Sequence, residues 1–176
     1  GLSSTLGVAG FPSGEAYKVG AAAPYARVPR AFFRQTLNLG SDAKKVDSDI
    51  NQFAGTRTSD RLVFTVGKFA VTDVFDTNKY AHDPRKDFMN WSLWSSGAFD
   101  YAADKLGLGY GVTAELNQKR WALRAGYFLM GATSNANSFD TRVPQRGEYV
   151  AELERRYSLF SQPGKLRVLG FLNSDY

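Results

Sequence analysis

Apolar and polar residues alternate along much of the chain with a period of two, the pattern of strands that have one apolar and one polar face. Tyr25 to Leu39 puts Tyr25, Ala31, Phe33, Leu37 and Leu39 on one side and Arg30, Arg34, Thr36 and Asn38 on the other. Leu108 to Asn117 sets Leu108, Tyr110, Val112, Ala114 and Leu116 against Gly109, Gly111, Thr113, Glu115 and Asn117. Trp121 to Met130 sets Trp121, Leu123, Ala125, Tyr127 and Leu129 against Arg124 and Gly126. Glu148 to Leu159 separates Tyr149, Ala151, Leu153, Tyr157 and Leu159 from Glu148, Glu152, Glu154 and Arg156, and Leu166 to Leu172 returns with Arg167 and Asn173 on its polar side. With Arg61 to Val71 the pattern predicts six strands, 25–39, 61–71, 108–117, 121–130, 147–159 and 166–173, and a further short one near 50–55. Residues 1–24 are rich in Gly, Ala and Ser, show no sustained period and read as loop; residues 40–60 are a polar connection whose course the pattern leaves open.

A two-residue turn at Gln118-Lys119 pairs Leu116 with Trp121 and Ala114 with Leu123, so that Thr113 faces Arg124 and Glu115 lies diagonal to it. Ser161-Gln162-Pro163-Gly164 is a second turn signal. Alternation alone fits a soluble sandwich or barrel with an apolar interior and equally a transmembrane barrel with an apolar outside and a polar lumen. Strands of about ten residues, against five or six in soluble sheets, favour the second. So do aromatics near strand ends, at Tyr25, Trp121, Tyr127, Tyr149 and Tyr157. The expected fold is all-β, an antiparallel transmembrane β-barrel.

Short turns at 118–119 and 161–164 alternate with long connections at 72–107 and 131–146, and the parity of the crossings puts both long connections on one side of the sheet. Residues 72–107 are expected to form one excursion, with a helical turn near Phe88 to Trp94. It should fold inward, because Phe75, Tyr80, Phe88, Trp91 and Trp94 would otherwise face water.

The 176 residues contain no Cys, which excludes a disulfide framework and any thiolate chemistry. No run approaches the roughly 18 apolar residues of a membrane helix. The start, GLSSTLGVAG, lacks the basic and apolar parts of a signal peptide, so an export signal is expected to be removed or to lie outside this chain. The formal charge of +5 is spread along the chain rather than clustered, against a nucleic-acid partner. His82 is the single histidine, near Asp76, Asp83 and Asp87; one His without Cys is weak for zinc, and a structural role suits it better. Gly107 to Gly111 runs into a strand and is no phosphate loop; its glycines read as leaving room in a lumen. No catalytic residue, metal site or cofactor is expected, and no enzyme.

The stretch Val63 to Trp94 begins as a strand and breaks into a polar, aromatic run. Its segment VGKFAVTDVFDTNKYAHDPRKDFMNW, together with FDYAADKLGLGYG, RWALRAGYF and ELERRYSLFSQPGKLRVLGF, resembles the carbohydrate-selective porins of Gram-negative outer membranes, from about Gly10 onward. That resemblance implies a single closed barrel of about sixteen strands, sitting in the outer membrane and passing sugars, glucose in particular, by diffusion. Open sheet edges are not viable in lipid, so residues 1–176 are expected to be one domain that is part of a larger barrel. The partners are then a small carbohydrate, outer-membrane lipid and, as an option, further copies of the chain.

A sugar needs charged donors and acceptors for its hydroxyls and aromatic surface for its ring faces. The pore-lining candidates are Arg30, Arg34, Asp73, Asp76, Asp83, Arg85, Asp87, Trp91, Trp94, Glu115, Arg124, Glu152 and Glu154, with Glu148, Arg156 and Arg167 on the same polar faces. Two readings stand against this one: a soluble β-barrel or sandwich binding module, and a β-rich hydrolase using the Asp/His loop.

Overall fold

The computed structural model describes residues 28–81, 99–133 and 136–174. Their elements are strands β1 (Ala31–Asn38), β2 (Lys44–Val46), β3 (Gly55–Arg57), β4 (Arg61–Phe69), β5 (Gly109–Asn117), β6 (Trp121–Phe128), β7 (Gly147–Leu159) and β8 (Gln162–Ser174), and one 3-10 turn, Val71–Asp73. Six strands make a single antiparallel sheet in the order β1-β4-β5-β6-β7-β8, while β2 and β3 form a separate hairpin. The sheet is open, with β1 and β8 as its edges; the barrel expected from the sequence does not close among the described residues.

Strand positions follow the alternation closely, and the differences have local causes. β1 starts at Ala31 rather than near Tyr25, since residues 28–30 are not strand and 25–27 lie outside the described residues. β4 ends at Phe69, and the chain bends through the 3-10 turn where a strand to Val71 was expected. The short strand expected at 50–55 is replaced by the tip of the β2–β3 hairpin, with Asp49 bridged to Gln52 and β3 beginning at Gly55.

Both predicted turns move. β5 and β6 are joined through Lys119 and Arg120, with the Gln118 N–H donating to the Trp121 carbonyl at 2.8 Å. The register therefore pairs Leu116 with Leu123 and Glu115 with Arg124, two positions from the expected pairing but with every side chain on its expected face. The shift brings opposite charges directly across from each other, which the expected register did not. β7 and β8 reverse at Phe160 and Ser161, both at positive φ of 50° and 63°, the geometry of a tight two-residue hairpin turn. Pro163 and Gly164 are inside β8, opposite Ser158 and Tyr157, and this register sets Glu154 against Arg167. A Cβ on Gly164 would lie 2.5 Å from Tyr157 Cε2, so the glycine is what lets the tyrosine ring lie across the pair.

The sheet's two faces have opposite characters. One exposes Phe33, Leu37, Phe64, Val66, Val112, Leu123, Leu153, Leu166, Val168 and Leu172. On the other, Arg124, Glu148, Glu152 and Glu154 are buried with Thr65, Thr113 and Asn117. A soluble sandwich has the reverse arrangement. Tyr149 and Tyr157 frame the apolar face on β7, roughly 26 Å apart along the strand, close to the apolar band of about 25 Å in transmembrane barrels. At the Tyr149 end the hydroxyls of Tyr127 and Tyr149 donate to the carbonyls of Arg146 and Pro144, at 2.6 and 2.8 Å.

The connection after β4 turns back over the polar face. Phe69, Val71, Val74, Phe75, Phe99, Ala102, Phe128 and Val150 pack there into one apolar cluster, with Phe128 edge-on to Phe69 at 5.3 Å and to Phe75 at 6.3 Å. Glycines make the space: a Cβ on Gly111 would lie 2.3 Å from Phe128 Cδ1, and one on Gly126 would lie 2.9 Å from Phe75 Cε2. Of the glycines between 107 and 111, read from sequence as leaving room in a lumen, Gly111 is covered by the Phe128 ring and Gly109 lies against the Ala102 carbonyl, while the space beside Gly107 is open.

Candidate functional site

Alternate residues of β7 point to the polar face, so Glu148, Glu152, Glu154 and Arg156 stand in a row along it; β6 and β8 bring cations alongside Glu152 and Glu154, while Glu148 lies between Phe128 and Asn173. Arg124 lies at the centre. Its guanidinium reaches Glu152 Oε1 at 2.6 Å, Glu154 Oε2 at 3.3 Å and Glu115 Oε2 at 3.3 Å. Glu154 also accepts from Arg167 Nε at 2.9 Å and Arg156 Nε at 2.7 Å, with Lys165 Nζ at 3.5 Å. Buried charges are tolerable only when paired and hydrogen-bonded in this way, and the pairing holds the side chains in fixed positions. Such a wall presents fixed donors and acceptors without a strong field of one sign. It holds no nucleophile with an adjacent base, and no group of His, Cys, Asp or Glu among the described residues could hold a metal.

The long connection is tied to this wall from both ends. The Asp76 N–H donates to Glu152 Oε2 at 2.8 Å, and the Ala102 N–H to Glu148 Oε2 at 2.9 Å. Asn173 Nδ2 donates to the Asp100 carbonyl at 2.7 Å. Asp104 pairs with Lys68 at 3.0 Å and accepts the N–H groups of Leu106 and Leu108. Burial pushes its carboxyl up, but Lys68 and the two N–H groups outweigh burial and hold it below the ordinary carboxylate value.

A second region lies along β1, where a cavity of about 780 Å³ opens between the polar face of the sheet and the β2–β3 hairpin. Arg30, Arg34, Arg57 and Arg61 line it, with Phe32 and Phe53. Arg34 donates to Thr65 Oγ1 at 3.2 Å and sits 5.1 Å from the Phe32 ring centre. Asn38 holds the hairpin against the sheet, donating to the Thr56 carbonyl at 3.1 Å and accepting the Thr58 N–H at 3.0 Å.

Of the candidates named from sequence, Glu115, Arg124, Glu152 and Glu154 come together in one network. Arg30 pairs with Asp73, whose carboxylate also accepts the Ala70 N–H. Arg34 faces the cavity, and Asp76 takes part through its main chain. His82, Asp83, Arg85, Asp87, Trp91 and Trp94, and the helical turn expected near Phe88, lie outside the described residues. Sequence reasoning missed Arg57, Arg61 and Lys165. Strand parity with Arg167 could have found Lys165, whereas a three-residue strand such as β3 is too short to show a period.

Over residues 1–176 the chain matches the family described as carbohydrate-selective porin, OprB family. No curated protein matches it, and no solved structure does.

Proposed function

The chain belongs to the carbohydrate-selective porins of the OprB family, and on that premise we propose that its sheet is a section of an outer-membrane barrel wall lining a path for passive diffusion of neutral hexoses such as glucose. The observation that carries this reading is the inverted polarity: Leu123 and Leu153 are half exposed while Glu152 and Glu154, on the opposite face, are buried to 1% and 0%. In lipid that arrangement is the stable one, and the open edges of β1 and β8 each take a further strand there.

The paired charges suit a neutral polyol. Fixed guanidinium and carboxylate groups exchange hydrogen bonds with hydroxyls, while mutual neutralisation keeps ions from outcompeting the sugar. Residues 72–107 serve as the constriction in this reading. Support comes from the bonds of Asp76 and Ala102 to Glu152 and Glu148, which draw both ends of the connection onto the polar face. Asp83, Arg85, Asp87, Trp91 and Trp94 then line the narrowing, the tryptophans against sugar ring faces.

Proteoliposome swelling tests the proposal. Vesicles holding the detergent-purified protein should swell in glucose several-fold faster than in a zwitterionic solute of equal size. Equal rates would remove the sugar selectivity. A protein that is monodisperse without detergent, and gives no swelling, would remove the porin reading altogether.

A further inference from the structure

The polar face carries two different charge patterns. On β5 to β8, Arg124, Arg156, Lys165 and Arg167 each meet a carboxylate. Beside β1 the balance fails. Arg34, Arg57 and Arg61 line one cavity, and among the described residues none of the three has a carboxylate within ion-pair distance. The two acids on that cavity are already engaged, Asp73 by Arg30 and Glu115 by Arg124.

The cations keep donors in reserve. Arg61 gives one nitrogen to the Thr58 and Ser59 carbonyls, at 3.1 and 3.2 Å, and Arg34 gives Nε to Thr65. Each guanidinium has five N–H groups, so both have forks left over. Arg57 is exposed, and its side chain donates no hydrogen bond among the described residues. Three like charges on one concave wall focus a positive potential into the space between them.

We propose that this cavity binds the oxyanion of an acidic sugar, the carboxylate of a uronate or the phosphate of a sugar phosphate. The arginine fork matches the planar oxygens of either group, and the space, about 780 Å³, accommodates a monosaccharide with its substituent. Phe32 and Phe53, on the same cavity, provide apolar surface for the ring. The bonds of Asn38 to Thr56 and Thr58, on either side of Arg57, hold that part of the hairpin beside the sheet. The solutes drawn through the channel would then include acidic sugars, held beside β1, while neutral sugars pass the compensated wall. This rests on the porin reading, which makes the polar face the lumen.

Single-channel recording in planar bilayers at low salt tests it, with glucose, glucuronate, glucose 6-phosphate and inorganic phosphate as probes. Glucuronate, glucose 6-phosphate or both should block the current at concentrations about tenfold or more below glucose, the scale of one charge-assisted contact. Arg57→Gln should raise that blocking concentration about tenfold relative to glucose, and Arg57→Lys should recover part of it. Block by the acidic sugars no stronger than by glucose, with the channel open, overturns the site and leaves the porin intact. Inorganic phosphate as effective as glucose 6-phosphate overturns the sugar assignment, and an Arg57→Gln channel that keeps the wild-type preference overturns the location. Absence of any channel is a different result, since it removes the porin reading itself.

Discussion

The backbone N–H of Asp76 donates to Glu152 Oε2 at 2.8 Å, while the other oxygen of the same carboxylate receives Arg124 at 2.6 Å. One side chain thus joins the position of the long connection to the charge balance of the wall. Loop and wall are not independent parts, and substitutions at Glu152 should affect both.

Replacing Glu152 with Ala removes the acceptor for Asp76 and one of the three partners of Arg124, whereas Gln keeps an oxygen for Asp76. Glu152→Ala should raise single-channel conductance and lower sugar discrimination, with a stability loss of about 1–3 kcal/mol; Glu152→Gln should conduct close to wild type. Deleting Asn78 to Asp87 should widen the channel in the same direction without unfolding the protein. Bilayer recordings of the three variants decide this, and unchanged conductance in the deletion would place the connection outside the path.

Leu123 and Arg124 are neighbours on opposite faces, so they report which face meets lipid. Leu123→Arg should cost about 2–4 kcal/mol near the bilayer centre. The network adds something that alternation did not contain: Arg124→Leu leaves Glu152 beside Glu154 with Arg167 Nε, at 3.9 Å, in place of a close partner, so it too should destabilise, by about 3–5 kcal/mol. The double change Arg124→Leu with Glu152→Leu should recover part of that loss. Urea unfolding in lipid vesicles, followed by tryptophan fluorescence, measures all three. A silent Leu123→Arg would mean that the sheet has been read inside out.

Gly67 sits in β4 at φ 131°, and a Cβ there would lie 2.4 Å from the Ala31 carbonyl oxygen and 2.7 Å from Phe32 Cα. Both are backbone atoms of β1 and cannot rotate away. Gly67→Ala should therefore loosen the β1–β4 pairing at a cost of about 1–3 kcal/mol or more, visible as faster hydrogen exchange in Ala31 to Arg34 than in β7. Wild-type exchange rates in β1 would show that the strand shifts at no cost.

Asp140, in the connection between β6 and β7, accepts from Arg142 Nε at 3.0 and 3.2 Å. Hydrogen bonding to the Arg142 side chain and main chain lowers its carboxyl from 3.8 to about 2. A depressed folded-state value stabilises the loop above the unfolded-state value, and that contribution fades as pH falls from 3.8 toward 2. Pepsin cleavage between residues 136 and 146 should accelerate across that window, and Asp140→Asn should cleave quickly throughout it. A cleavage rate that does not change with pH in the wild type would contradict the pairing.

What the sequence determined by itself is the side of the sheet on which each residue stands. In an extended chain side chains alternate by local geometry, so Glu115, Arg124, Glu152 and Glu154 could be put on one face and Leu123 and Leu153 on the other before any strand had a neighbour. Of the aromatics expected to be covered in the connection after β4, Phe75 is buried and Tyr80 is exposed, a difference that no local pattern contained. Register was not legible either. A slip of two positions leaves every face unchanged, so the pattern cannot tell Glu115 opposite Arg124 from Thr113 opposite Arg124, and the ion pairs across the strands settle it. The reversal at Phe160 and Ser161 likewise overrode the Pro-Gly signal, because thirteen-residue strands pairing Glu154 with Arg167 outweigh local turn preference. Tertiary structure also decided that the glycines at 111 and 126 hold Phe128 and Phe75 rather than open space, and that Arg57 joins Arg34 on one cavity. These contacts join residues far apart in the chain, and a period read over neighbouring positions carries no information about them.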